Sequence, residues 1–169
     1  MSQQSVRPLN PVPEEFAGDS FKQNIKRAFH ATRPKFFPAS ALPVIVGSAW
    51  GAYASGQFSI YIFVLAMVAT VCVHAASNVL NDVGDESIGT DARNELRIYP
   101  YTGGSRFIQS GILSPRRMAR LGITLIALAS LAGLALFVER GPTVITFGLI
   151  GIGLGVIYSL GPVKLSSLG

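Results

Sequence analysis

Asn78, Asn81, Asp82 and Asp85 stand at the end of a long apolar run, and Asp91 follows shortly after. An α-helix turns by about 100° per residue, which places His74, Asn78, Asn81, Asp82 and Asp85 on one face. Two carboxylates at a helix C-terminus meet the negative end of the dipole and repel each other. Such a cluster is costly unless a cation sits in it. A hard ion such as Mg²⁺ takes oxygen ligands and is commonly shared between carboxylates and substrate phosphates. Asp82, Asp85, Asp91 and Asn81 are therefore candidate metal ligands, with Asn78, Asp82 and Asp85 the candidate catalytic residues. A merely solvated helix end would not need Asn78 and Asn81 to carry the polar face back into the apolar run. An EF-hand is excluded by spacing, because Gly84 stands where an acid is required. Glu86 lies off the polar face and reads as a surface residue.

The element that must position these groups is a membrane helix. Of 169 residues, 49% are hydrophobic and only 14% charged, and the mean hydropathy is +0.43. That balance belongs to a membrane protein rather than a soluble domain. Runs over residues 36–54, 58–80, 118–138 and 143–160 approach the roughly 20 residues that cross a bilayer. The expected fold is an all-α transmembrane bundle. Residues 1–20 read as a flexible tail, and residues 21–35 as an amphipathic segment lying on the membrane surface. Ser114-Pro115 and Gly141-Pro142 open the third and fourth spans. The pairs Gly47/Gly51 and Gly151/Gly155 have the spacing that lets membrane helices approach closely.

Charge placement sets the orientation. Arg7, Lys22, Lys26, Arg27, Arg33 and Lys35 precede the first span, and Arg93, Arg97, Arg106, Arg116, Arg117 and Arg120 lie between the second and third. The positive-inside rule puts the N-terminus and this central loop in the cytoplasm. The net charge of +5 is thereby explained without a nucleic-acid partner. Cys72, the single cysteine, lies inside a span and forms no disulfide within the chain.

Asn81-Asp82-Val83-Gly84-Asp85, Gly89-Thr90-Asp91, Gly103-Gly104-Ser105-Arg106 and Gly111-Ile112-Leu113-Ser114-Pro115 together resemble the UbiA family of membrane prenyltransferases. The match is closest to its 1,4-dihydroxy-2-naphthoate polyprenyltransferase branch, which serves menaquinone synthesis. The resemblance covers roughly residues 35–169. It implies Mg²⁺ on the acidic residues, a polyprenyl diphosphate as donor, and an aromatic acceptor that attacks the allylic carbon as diphosphate leaves. Arg106, beside the two glycines, is then the first diphosphate candidate, with Arg93 and Arg97 behind it. Tyr101 is a candidate for holding a substrate, as is Tyr99. Arg116, Arg117 and Arg120 are expected to anchor the third span.

The resemblance breaks at one point. The family carries a second acidic motif in the other half of a bundle of about nine helices, whereas after Glu95 this chain has one acid, Glu139. The expectation is the N-terminal half of such an enzyme, which pairs with a C-terminal half or self-associates. A non-enzymatic membrane subunit, or a component of a small cation-coupled transporter, is the competing reading. Transporters place ionisable groups near the bilayer midplane; here they gather at one rim.

Overall fold

The computed structural model describes residues 10–88 and 104–159. A short 3-10 turn, Pro13–Phe16, leads to α1 (Phe21–Ala31). The Ser20 hydroxyl opens α1 by accepting the Gln23 N–H at 3.2 Å. A second 3-10 turn, Pro34–Phe36, leads to α2 (Pro38–Ser55), which continues through Pro43 and stops at left-handed Gly56. The remaining helices are α3 (Ile60–Ile88), α4 (Pro115–Arg140) and α5 (Thr143–Ser159). Ser114 caps α4 by accepting the Arg117 N–H at 3.3 Å. Gly141, at φ 83°, ends that helix and donates to the Phe137 carbonyl at 2.8 Å.

The described residues form an all-α fold. Three of its helical stretches, Pro34–Ser55, Ile60–Ser87 and Pro115–Arg140, are long and apolar enough to cross a membrane. The stretch expected to be a fourth span forms α5, described over 17 residues, a shorter apolar helix than the three that reach membrane-crossing length among the described residues. Large apolar side chains such as Val46, Trp50, Leu131, Val138, Phe147 and Leu149 point outward, as lipid-facing residues do.

α3 and α4 make the most extensive helix pair. They pack closely at Gly122, where an added Cβ would lie 2.6 Å from Leu80 Cδ2. The glycine pairs singled out from spacing behave differently. A Cβ at Gly47, Gly51 or Gly151 would meet nothing within 4 Å, so these three positions pack against no helix among the described residues.

The tightest packing lies at the polar end of the bundle. Phe16, Ala31, Val79, Phe107 and Met118 form one buried cluster. Phe16 comes from the stretch expected to be a loose tail. Its ring meets Phe107 edge-on at 4.9 Å and His30 at 5.4 Å. Arg27 then reaches back to donate to the Phe16 carbonyl at 3.0 Å, and Lys26 to the Glu15 carbonyl at 2.8 Å. The chain from Val12 onward is thereby part of the folded unit.

Candidate active site

At 1.5 Å per residue, the 29 residues of α3 extend about 43 Å, against about 30 Å of hydrocarbon in a bilayer. The helix therefore overshoots the apolar core by about two and a half turns. Asn81, Asp82 and Asp85 lie on that overhang.

Its polar face is received by the bend between α1 and α2. His74 Nδ1 lies 2.6 Å from the Ser40 hydroxyl. One helical turn on, the Asn78 amide donates to the Thr32 carbonyl at 2.9 Å. Another turn on, Asp82 Oδ1 is ion-paired with Arg33. The three residues follow the i, i+4, i+8 spacing that keeps side chains on one helix face. Each finds its partner within nine residues of backbone, Thr32–Ser40.

Asp82 is the centre of the arrangement, only 2% exposed. Its second oxygen, Oδ2, accepts the Ser105 backbone N–H at 2.9 Å. That contact requires the chain after the central loop to fold back. It does so with Gly104 at φ 74° and Arg106 at φ 63°. Arg33 is also left-handed, at φ 55°. Such a backbone costs a non-glycine residue on the order of 1–3 kcal/mol and persists only where its surroundings enforce it. Two strained arginines thus flank one buried carboxylate.

Asp85, half-buried, accepts the Asn81 amide N–H at 2.7 Å. The other end of that amide, Asn81 Oδ1, is buried with no hydrogen-bond partner. Buried polar atoms are almost always satisfied, so an oxygen left without a donor beside two carboxylates marks a place for a cation. An all-oxygen set from Asn81, Asp85 and Asp82 suits Mg²⁺ chemistry. Each Asp82 oxygen holds one hydrogen-bond partner and keeps a further lone pair to offer a cation. Among the described residues no cluster of three or more His, Cys, Asp or Glu side chains is poised around a metal.

Of the sequence-predicted site residues, the structure brings together Asn78, Asn81, Asp82 and Asp85, with Arg106 one residue beyond the Asp82 contact. Asp91, Arg93, Arg97, Tyr99 and Tyr101 lie outside the described residues. Asn78, expected to be catalytic, serves as a tie to the Thr32 carbonyl. Glu86 is exposed, as expected, and accepts from the Gln109 amide at 2.8 Å.

Arg33 is the residue that sequence reasoning passed over. Basic residues ahead of a first span are accounted for by topology alone, which hides a specific partner. Arg33-Pro34 pointed the other way: the residue before a proline is expected to be extended, whereas Arg33 is left-handed at φ 55°. Arg33, Lys35 and His30 also line a cavity of about 270 Å³ beside the Asp82 pair, walled by Phe16, Phe36 and Phe107. Burial and the nearby Lys26 hold the His30 imidazole below the usual histidine range.

The sequence profile described as the UbiA prenyltransferase family matches residues 40–168. The chain is 31% identical to a 1,4-dihydroxy-2-naphthoate octaprenyltransferase of Escherichia coli, over 82% of this chain and 44% of that protein. It is 33% identical to the protein of the same name in Haemophilus influenzae, over 64% of this chain and 33% of that one. A UbiA prenyltransferase domain-containing protein 1 of Xenopus tropicalis is 32% identical over 70% of this chain and 32% of its own length. The chain thus spans about a third to less than half of the length of these curated relatives. No solved structure matches. The acidic overhang of α3, its basic bend and the matched span agree: this multi-pass membrane chain belongs to the UbiA prenyltransferase family.

Proposed function

We propose that this chain binds a polyprenyl diphosphate with Mg²⁺ at the cytoplasmic membrane face, in a site that passes the prenyl group to an aromatic acceptor. The observation that carries the reading is the buried Asp82 carboxylate, held between Arg33 and the Ser105 N–H beside the unpartnered Asn81 oxygen. Asp85, Asn81, Asp82 and Asp91 are the proposed metal ligands. Mg²⁺ held there would offset the negative charge gathering on the departing diphosphate.

The chain's own residues do the remainder. Arg33 holds an anionic oxygen in the present arrangement, and a guanidinium binds phosphate with the same paired geometry as carboxylate. Arg33 is placed to contact an arriving diphosphate with its remaining N–H donors, and Asp82 would help hold the metal through its remaining lone pairs. Arg106, Arg93 and Arg97 add positive charge on the loop side. In the transfer the allylic C–O bond breaks and diphosphate leaves with the electron pair. A ring carbon of the acceptor then bonds to the prenyl group and loses a proton. The relatives' names point to an electron-rich naphthoate as acceptor, with Tyr101 proposed to help hold it. The cytoplasmic orientation rests on the twelve basic residues flanking the site, six before the first span and six after the second.

Binding of geranylgeranyl diphosphate to the chain in detergent or nanodiscs tests this. Affinity should fall at least about tenfold when EDTA removes Mg²⁺, a loss of about 1.4 kcal/mol or more. Asp85→Asn should produce the same loss and render EDTA without effect. Equal binding by wild type and Asp85→Asn, with or without metal, would remove the metal-diphosphate assignment.

A further inference from the structure

Asp82 Oδ2 is held by a backbone group, the Ser105 N–H, so the carboxylate is aimed only as well as the backbone around Ser105 is fixed. That backbone does not hold itself. Gly104 and Arg106, on either side of Ser105, are both left-handed, and at a non-glycine residue surrounding contacts must enforce such a conformation.

Phe107 supplies the enforcement. Its N–H donates to the Ser105 hydroxyl at 3.3 Å, and its carbonyl accepts from the Ile112 and Leu113 N–H groups at 2.9 and 3.0 Å. Its ring is buried in the cluster with Val79 and Met118, and Phe16 meets it edge-on at 4.9 Å, a geometry in which aromatic rings attract beyond their shared apolar area. Phe16 is fixed in turn from behind. The buried Arg27 guanidinium donates to the Phe16 carbonyl at 3.0 Å and to Asn24 Oδ1 at 2.7 Å. A guanidinium is costly to bury unless hydrogen bonds compensate it, so Arg27 gains most when Phe16 stays in its seat. The Lys26 ammonium lies 5.0 Å from the centre of the Phe16 ring on the same side. α1 thus grips a ring, the ring seats Phe107, and Phe107 fixes the residue that aims the carboxylate.

We infer that Phe16, locked by Arg27, is a positioning residue for the Asp82 carboxylate and acts through Phe107 and Ser105. The inference rests on the prenyl-transfer reading for what Asp82 does, and adds that the segment ahead of α1 sets where Asp82 points. Phe16 and Arg27 both precede residue 40, where the match to the family profile begins. The support therefore comes from a part of the chain that lies outside that match.

Two measurements on the full 169-residue chain in detergent test this. Leu136→Ala, a buried truncation towards the other end of α4, is the control for lost packing alone. The first measurement is amide hydrogen exchange at Ser105 and Phe107. Phe16→Ala should speed it by about tenfold, the scale of one freed hydrogen bond to a charged group, whereas Leu136→Ala should change it by less than about twofold. The second is geranylgeranyl diphosphate binding titrated with Mg²⁺. Phe16→Ala should raise the half-saturating Mg²⁺ concentration by about fivefold or more and leave binding in EDTA unchanged. Phe16→Leu, which refills the space, should recover most of both effects, and Leu136→Ala should not alter the Mg²⁺ requirement. If Phe16→Ala does not fold, Arg27→Met decides, because it unties the Phe16 carbonyl without emptying the cluster and should move both readings in the same direction. Unaltered exchange at Ser105 and Phe107 in the folded variant overturns the inference. Faster exchange with an unchanged Mg²⁺ requirement overturns it too, because Phe16 would then serve stability alone. Wild-type binding that ignores Mg²⁺ counts against the metal-diphosphate reading, and exchange then judges by itself whether Phe16 holds the Ser105 tie to Asp82.

Discussion

At the scale of single residues, the Arg33–Asp82 pair governs both stability and the site. Removing one partner of a buried ion pair strands the other charge and typically costs about 3–5 kcal/mol. Arg33→Ala should therefore destabilise the chain by that order in mixed-micelle unfolding. Adding Asp82→Asn to it should restore a good part of the loss, because the stranded charge is gone. Purely additive losses would show that the two side chains do not depend on each other. Asp82 and Asp85 could be picked out from the sequence because carboxylates at an apolar helix end are conspicuous. Arg33 could not, since its partner lies 49 positions away and its charge already had a topological explanation.

At the scale of elements, the α3–α4 contact and the exposed face of α1 can be tested independently. Gly122 admits Leu80 so closely that Gly122→Val must push the helices apart, at a cost of about 1–3 kcal/mol for overpacking. Gly133→Ala, where an added Cβ meets nothing within 4 Å, should be neutral or gain up to about 1 kcal/mol in helix propensity. Similar losses in both would mean that the α3–α4 interface is not close-packed. Along α1, Phe21, Ile25 and Phe29 are exposed at i, i+4 and i+8, while Arg27 on the other side is buried. That arrangement suits a helix resting on the bilayer surface. In a Trp50→Phe background, tryptophan at Ile25 should be quenched by brominated lipid, and tryptophan at Gln23 much less. Equal quenching would rule out a surface-lying α1. The starts of α4 and α5 were readable from Ser114-Pro115 and Gly141-Pro142 because helix starts are set by local chemistry. Which glycines pack was not, because spacing alone does not say which face meets a neighbour.

At the scale of the whole molecule, the expected bundle and its orientation can be checked by accessibility. With Cys72→Ala as background, cysteines at Gln57 and Glu139 should react with an impermeant reagent from outside the cell, and one at Glu86 should not. Gly141, at φ 83°, is a poor site for this probe because a side chain there is strained. Outside labelling at Glu86 would reverse the proposed orientation. The class of fold was legible because bilayer thickness imposes long apolar runs on any sequence that crosses it. The packing of Phe16 against Phe107 was not, since 91 positions separate them and no periodicity links a 3-10 turn to a loop.

The ties from α3 to the Thr32–Ser40 bend also bear on how the chain is assembled. The bend is synthesised before α3, so its carbonyl at Thr32, hydroxyl at Ser40 and guanidinium at Arg33 stand ready when His74, Asn78 and Asp82 emerge. A carboxylate costs a few kcal/mol at the centre of a membrane helix, and less on the overhang where Asp82 lies. Delivered beside the finished bend, it goes directly from the aqueous exit to its counter-ion. The order of synthesis would thus shelter the polar face of α3, and a circular permutation that placed α3 ahead of α1 is expected to forfeit that shelter during insertion even though the final contacts were the same.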